Sequence, residues 1–175
     1  MLFANSYIMR SLIVILVFFG TLLVQPLFSQ HYNYDFAVGL RIGLAYGLNA
    51  KYFPGSNRAI QSRNALEAIA SHRYNGITCS ILYEYHIEVF DTKGFYLYCG
   101  GGMHAGVLDS DKVPWETGKT GDNFYTGFDG IIGLEYVFAY VPVSIGLDWK
   151  PGLNFISDLN VITDDIGLSL RFFFD

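Results

Sequence analysis

Ten ionisable side chains of this 175-residue chain stand at alternate positions of otherwise apolar segments. They are Arg41, Glu84, His86, Glu88, His104, Asp129, Glu135, Asp148, Lys150 and Arg171, with Lys51 and Glu67 as further candidates. Charges at every second position lie on one face of a β-strand, because successive side chains leave a strand in opposite directions. Such a set could pair within a closed interior, where an unpaired charge is strongly destabilising. It could instead relay protons or ions. His86 and His104, with Glu84 or Glu88 nearby, could also approach one another as metal ligands, yet no HxxxH or CxxC spacing supports a metal. A lipid-acting enzyme would need a Ser or His beside a carboxylate at a lipid interface. His72 is the candidate there, and the sequence offers it no evident partner. Gly118-Lys119-Thr120 imitates the end of a phosphate-binding loop, but Val113 stands where that motif needs glycine, and a strand follows instead of a helix. Gly100-Gly101-Gly102 fits close packing within a strand better than a dinucleotide fingerprint. No cofactor is expected. Trp115, exposed among polar residues, is the one candidate for contact with an external ligand or a lipopolysaccharide surface.

The elements that must carry these residues are strands. Gly76–Val89 alternates cleanly: Ile77, Cys79, Ile81, Tyr83, Tyr85, Ile87 and Val89 fall on one parity. Thr78, Ser80, Glu84, His86 and Glu88 fall on the other, interrupted only by Leu82. That run is long for a soluble domain, where strands average about five or six residues. It suits a tilted strand across a bilayer, which needs about nine to eleven. Asp35–Leu48 alternates likewise, with Gly and Ala opposite the apolar face and Arg41 as the one large inner group; a turn near Tyr46–Gly47 then leads into a strand over 48–53. Pro54-Gly55-Ser56-Asn57 signals a turn. Residues 58–72 suit either a short helix or a strand; an even strand count requires a strand over about Asn64–Ser71. Arg73-Tyr74-Asn75-Gly76 and Asp91-Thr92-Lys93-Gly94 read as hairpin connections. Further alternating strands follow over 95–108, 124–138, 143–150 and 166–174, which makes eight. The two longest loops, 109–122 and 152–164, then fall at the same end.

Residues 1–29 read as a secretory signal peptide: Arg10 is the only charge, an apolar core follows, Pro26 breaks it, and Ser29 precedes the cleavage point. Initiation at Met9 would give a more conventional leader. Residues 30–175 form one domain. Aromatic residues make up 17% of the chain and charged residues only 15%, and there are 19 glycines. This composition suits short strands with closely packed backbones. The formal charge of −5 leaves no basic footprint, so nucleic acid is not an expected partner. Cys79 and Cys99 share the apolar parity of neighbouring strands but are offset by six to eight residues. They are therefore expected as free thiols, since a disulfide needs Cα atoms within about 7 Å.

These features together resemble the small eight-stranded outer-membrane β-barrel proteins of Gram-negative bacteria, the OmpA/OmpX-like group, over roughly residues 35–175. The resemblance rests on the leader, the eight alternating segments, the loop asymmetry and the aromatic terminal strand LSLRFFFD. It implies an all-β, up-and-down, antiparallel transmembrane barrel in the outer membrane, with the N-terminus on the periplasmic side. It also implies outer-membrane lipid and lipopolysaccharide as partners, and the barrel-assembly machinery during insertion. In that group the last strand ends on an aromatic residue; here Asp175 follows Phe174. No periplasmic domain is implied. The expected function is that of a non-enzymatic monomer with a polar, plugged lumen, a porin-like barrel without an open pore, in a structural or surface-binding role through loops 109–122 and 152–164. The alternatives are a lipid-modifying barrel enzyme and a soluble lipocalin-like carrier with an apolar interior.

Overall fold

The computed structural model describes residues 35–54, 64–90, 94–113, 121–156 and 159–174. The leader expected at residues 1–29, residues 55–63 and 91–93, Trp115, Gly118-Lys119-Thr120 and Asp175 lie outside them.

Ten strands are formed: β1 (Phe36–Gly43), β2 (Tyr46–Tyr52), β3 (Asn64–Arg73), β4 (Gly76–Glu88), β5 (Phe95–Asp109), β6 (Asp122–Val137), β7 (Val143–Trp149), β8 (Gly152–Ile156), β9 (Asn160–Ile162) and β10 (Ile166–Phe174). Eight of them close an antiparallel barrel in chain order, β1 to β7 and then β10, which pairs with both β7 and β1. Period-two patterning leads here because closure buries one face of every strand and leaves no edge unpaired. The uncertain 64–72 region is strand β3, paired along its length with both β2 and β4. One circuit of the register fixes the stagger. Ile145 pairs Leu170, which leads through Leu40, Leu48, Ala70, Cys79 and Ala105 to Thr126. Ile145 itself pairs Tyr136, ten residues away on β6. That shear requires the strands to tilt steeply to the barrel axis.

Three sequence expectations are corrected. The first reversal sits at Leu44–Ala45, not at Tyr46–Gly47. Leu40 pairs Leu48 and Arg41 pairs Gly47, so the inner parity is the same on both strands and periodicity carries no mark of the turn. The β3–β4 hairpin forms where Arg73-Tyr74-Asn75-Gly76 signals it, turning on Tyr74 and Asn75, both at positive φ, with Gly76 opening β4. Positive φ at both central residues is the turn geometry whose twist matches that of paired strands. The 152–164 segment is not an open loop. It folds as the β8–β9 hairpin, with β8 pairing along β6 beyond the end of β7. Finally, the soluble-carrier alternative would put the polar parity in water, whereas Arg41, Glu84 and Arg171 are each at most 1% exposed.

The outside of the barrel is apolar. Leu40, Ile42, Leu48, Ile77, Ile81, Met103, Phe128, Leu147, Leu168 and Leu170 are all exposed there. Cys79 and Cys99 are free on the same face, opposite Ala105 and Tyr85 respectively. A contiguous apolar exterior of this extent on a closed sheet is the signature of a membrane-facing surface.

Candidate functional site

The interior is built of two ionic clusters, each anchored by an arginine, with apolar side chains at both ends. At the end where β1 begins and β10 finishes, Ala37, Phe53, Ala65 and Phe173 form an apolar seal. Next to it the first cluster centres on Arg171, which donates to Glu67 at 2.7 Å and to Glu135 at 3.0 Å. Lys51 reaches Glu84 at 2.8 Å, with Glu135 and Glu67 at 3.5 and 3.8 Å. Ser144 donates to Glu135, and Asn49 donates to Glu67 and Ser169. Strands β2, β3, β4, β6, β7 and β10 therefore meet at one set of charges. His86 stacks on Tyr98 with its Nε2 3.6 Å from Glu84 and 3.7 Å from Glu135.

The second cluster lies toward the hairpin end. Arg41 donates to Asp148 at 2.6 Å and to Asp165 at 2.8 Å. Lys150 contacts Asp165 and Asp129, both at 3.2 Å. Asp129 bonds His104 Nδ1 at 2.8 Å, and His104 Nε2 meets Asn154 at 2.7 Å. Between the clusters sit Ile69, Leu82, Tyr98 and Ile131. Tyr98 joins them: Lys51 Nζ lies 4.3 Å from its ring centre, and its hydroxyl donates to Asp148 at 3.4 Å. Beyond the second cluster Leu108, Val113 and Tyr125 pack together, with Tyr125 bonded to Thr78.

Of the residues singled out from sequence, Arg41, Lys51, Glu67, Glu84, His86, His104, Asp129, Glu135, Asp148, Lys150 and Arg171 all lie in these clusters. Glu88 does not. It is exposed as the last residue of β4, beyond the apolar seal's neighbour His86, where the lumen opens to solvent. His86 and His104 are not brought together either. His86 pairs Tyr98 and His104 pairs Ser80, six residues apart on each strand, or roughly 20 Å. Among the described residues no group of three or more His, Cys, Asp or Glu is arranged to hold a metal ion. His72 lies outside the lumen against the Tyr46 ring, at 5.4 Å. Sequence reasoning missed Asp165, Asn154 and the bridging role of Tyr98. Parity marks Tyr98 as inward, but Asp165 precedes its strand and Asn154 sits in the unrecognised hairpin.

Asp164 and Asp165 are neighbours with opposite fates. Arg73 grips Asp164 through two bonds of 3.1 and 2.6 Å at the surface, while Asp165 is buried between Arg41 and Lys150. The bond from Arg73 holds the Asp164 carboxyl below the usual aspartate range. A depressed acid stabilises the fold above the unfolded pKa of about 3.9, and that contribution disappears as pH falls below it. The pair is solvent-exposed, so Asp164→Asn is expected to cost less than about 1 kcal/mol. Asp165→Asn, which weakens charged bonds to two buried cations, is expected to cost roughly 1.5–3 kcal/mol. Urea titration of the two refolded variants compares them directly. Equal losses would mean that burial does not separate the two carboxylates.

No protein-family profile matches the chain, and no curated protein matches it. Among solved structures, the barrel is similar to the N-terminal β-barrel domain of Pseudomonas aeruginosa OprF. The TM-score is 0.59 at 16% identity, over 83% of this chain and 100% of that domain. Pairing order, closure and this likeness together give the chain the fold of the small eight-stranded outer-membrane β-barrels.

Proposed function

We propose that the protein is a non-enzymatic, monomeric β-barrel of the bacterial outer membrane, exported by the leader at residues 1–29, with a lumen that does not conduct. The observation that carries this reading is the interior itself. Arg41 and Arg171, each 1% exposed, cross the lumen to carboxylates on other strands. The apolar seal and Tyr98 close the space between and beneath them. In eight-stranded barrels the interior is wide enough to be filled by side chains and no more. An apolar exterior over such an interior suits insertion in lipid. Surface contact would then fall to the connection after β5, residues 109–122 with Trp115, which faces lipopolysaccharide if the termini are periplasmic. The aromatic end of β10 would engage the assembly machinery.

Reconstitution tests both halves of this reading. The chain refolded into phospholipid vesicles should migrate faster on SDS gels when unboiled than when boiled. The same vesicles should retain a trapped small solute as long as protein-free ones do. A heat-modifiable band with rapid solute release would overturn the plugged lumen. Soluble protein with no mobility shift would overturn the membrane assignment.

A further inference from the structure

Strands β1 and β6 differ in how far their outward apolar face extends. It runs from Phe36 to Leu44 at β1, and from Tyr136 to Phe124 along β6. At about 3.3 Å per residue and a tilt near 40°, these spans are roughly 20 Å and 30 Å. The lower ends are level, because Phe36 and Tyr136 both stand at the end of the barrel where β1 begins. The excess therefore lies entirely at the hairpin end, on the side of β5, β6, β8 and β9.

The β8–β9 hairpin enlarges that taller side. Its register places Phe128, Leu153 and Val161 in one row across β6, β8 and β9, all on the outer face and all exposed. Phe155 packs its ring on Phe128 at 5.2 Å and is itself exposed, as is Leu159. The inner face of the hairpin is fixed by the second ionic cluster, through Asn154 and His104. The hairpin cannot roll over to hide its apolar side without breaking that bond. Two polar groups along the outer face are already satisfied: Thr126 donates to the His104 carbonyl, and the Trp149 indole donates to the Thr163 carbonyl. The outer face thus continues the apolar belt through Phe124, Phe128, Leu153, Phe155, Leu159 and Val161, all exposed.

We infer that the β8–β9 hairpin and the adjoining part of β6 form a membrane-embedded apolar shelf, packed against the acyl chains of the leaflet at the hairpin end. This rests on the membrane reading proposed above. It replaces a water-exposed binding loop with a lipid contact on one side of the barrel. A belt of unequal height is a built-in hydrophobic mismatch, relieved by barrel tilt and by local thickening of the bilayer on the tall side.

Depth-dependent quenching tests it on the full chain, with Cys79→Ala and Cys99→Ala as background. Single cysteines at Val161→Cys, Leu168→Cys and Asp111→Cys carry an environment-sensitive fluorophore in phosphatidylcholine vesicles. Leu168 is in the middle of the belt on β10, and Asp111 is exposed just beyond β5. Lipids brominated in the acyl chain should quench position 161 to within about two-fold of position 168, and aqueous iodide should quench only position 111. Iodide quenching at 161 with lipid quenching retained at 168 would overturn the shelf and leave the barrel reading standing. Iodide quenching at 168 as well would overturn both. Shielding of 161 from both quenchers would mean that a second protein copy covers it, and would also overturn the shelf. Phe155→Cys repeats the measurement if Val161→Cys does not fold.

Discussion

Arg171→Met is expected to remove roughly 3–5 kcal/mol of folding stability, the range for breaking a buried ion pair from one side. Arg171 is inside the barrel wall on β10 and satisfies carboxylates from β3 and β6 at once. Methionine fills much of the volume but leaves Glu67 and Glu135 facing each other with only Lys51, at 3.8 and 3.5 Å, between them. The sign of the charge matters more than the count of contacts. The two clusters hold Arg41, Lys51, Lys150 and Arg171 against Glu67, Glu84, Asp129, Glu135, Asp148 and Asp165. In the first cluster Glu67, Glu84 and Glu135 face two fixed cations, Arg171 and Lys51. Losing a cation there leaves uncompensated charge, whereas losing Glu84 relieves it; Asp165 differs because it bridges both Arg41 and Lys150. Glu84→Gln is therefore expected to be near neutral, even though it gives up the 2.8 Å contact to Lys51. Adding Glu67→Gln and Glu135→Gln to Arg171→Met should restore most of the lost stability, since neutral amides can be satisfied without a cation. Urea titration of refolded protein, followed by tryptophan emission, measures all three. If Glu84→Gln proved as costly as Arg171→Met, charge balance would not be what organises the lumen.

Much of this arrangement was legible in the sequence, for a simple reason. A closed barrel with unlike faces imposes a period of two on every strand, and that period is visible without knowing any partner. It placed Arg41, Glu84, Asp129, Glu135, Asp148 and Arg171 on the inner parity. Even Leu82, which interrupts the polar face of β4, is an inner residue packed on Ile69, Tyr98 and Ile131. What stayed hidden was whatever parity does not encode. Pro151 lacks an amide proton and, followed by Gly152, imitates the start of a loop. The inward–outward alternation nevertheless runs straight through it, with Asp148 and Lys150 in, Leu153 out and Asn154 in. The carbonyl of Pro151 still accepts from Gly130, so the seventh strand continues along β6 as β8. Asp165 was hidden because its partners lie on β1 and beyond β7, far away in sequence. Separation along the strand was equally unreadable for His86 and His104, whose parity agrees but whose height does not.

The two clusters also explain why Tyr98 sits where a glycine would otherwise leave room. Gly133 and Gly146 lie against the Tyr98 ring and hydroxyl, and a Cβ at Gly133 would fall 2.5 Å from the ring carbon that bears the hydroxyl. Small residues on β6 and β7 thus create the space through which a ring on β5 links Lys51 to Asp148. The inner glycines of this barrel mark where large polar side chains from other strands must pass, or where strands come close.

The triple glycine of β5 separates these roles within three residues. A Cβ at Gly102 would fall 1.9 Å from the Ile81 carbonyl oxygen and 2.8 Å from the Leu82 Cα, both backbone atoms of β4. Rotamer adjustment cannot relieve a clash with backbone. Gly102→Val must push β5 off β4, along a ladder that runs from Ile77–Val107 to Glu88–Tyr96. The expected cost is at or above the 1–3 kcal/mol usual for overpacking, and the fast-migrating unboiled band should be lost. Gly101 faces outward, and a Cβ there would meet only the Asp129 carbonyl oxygen, at 3.3 Å. A shift of a few tenths of an ångström accommodates it. Alanine also restricts the unfolded chain, which is worth about 0.4–1 kcal/mol where the native backbone permits it. Gly101→Ala is therefore expected to leave heat-modifiability intact and stability within about 0.5 kcal/mol of the parent. If both variants fold equally well, the β4–β5 spacing is looser than drawn and the glycines serve another purpose. If both fail, what matters is the backbone freedom of the whole triplet, and the inward approach at Gly102 is not the cause.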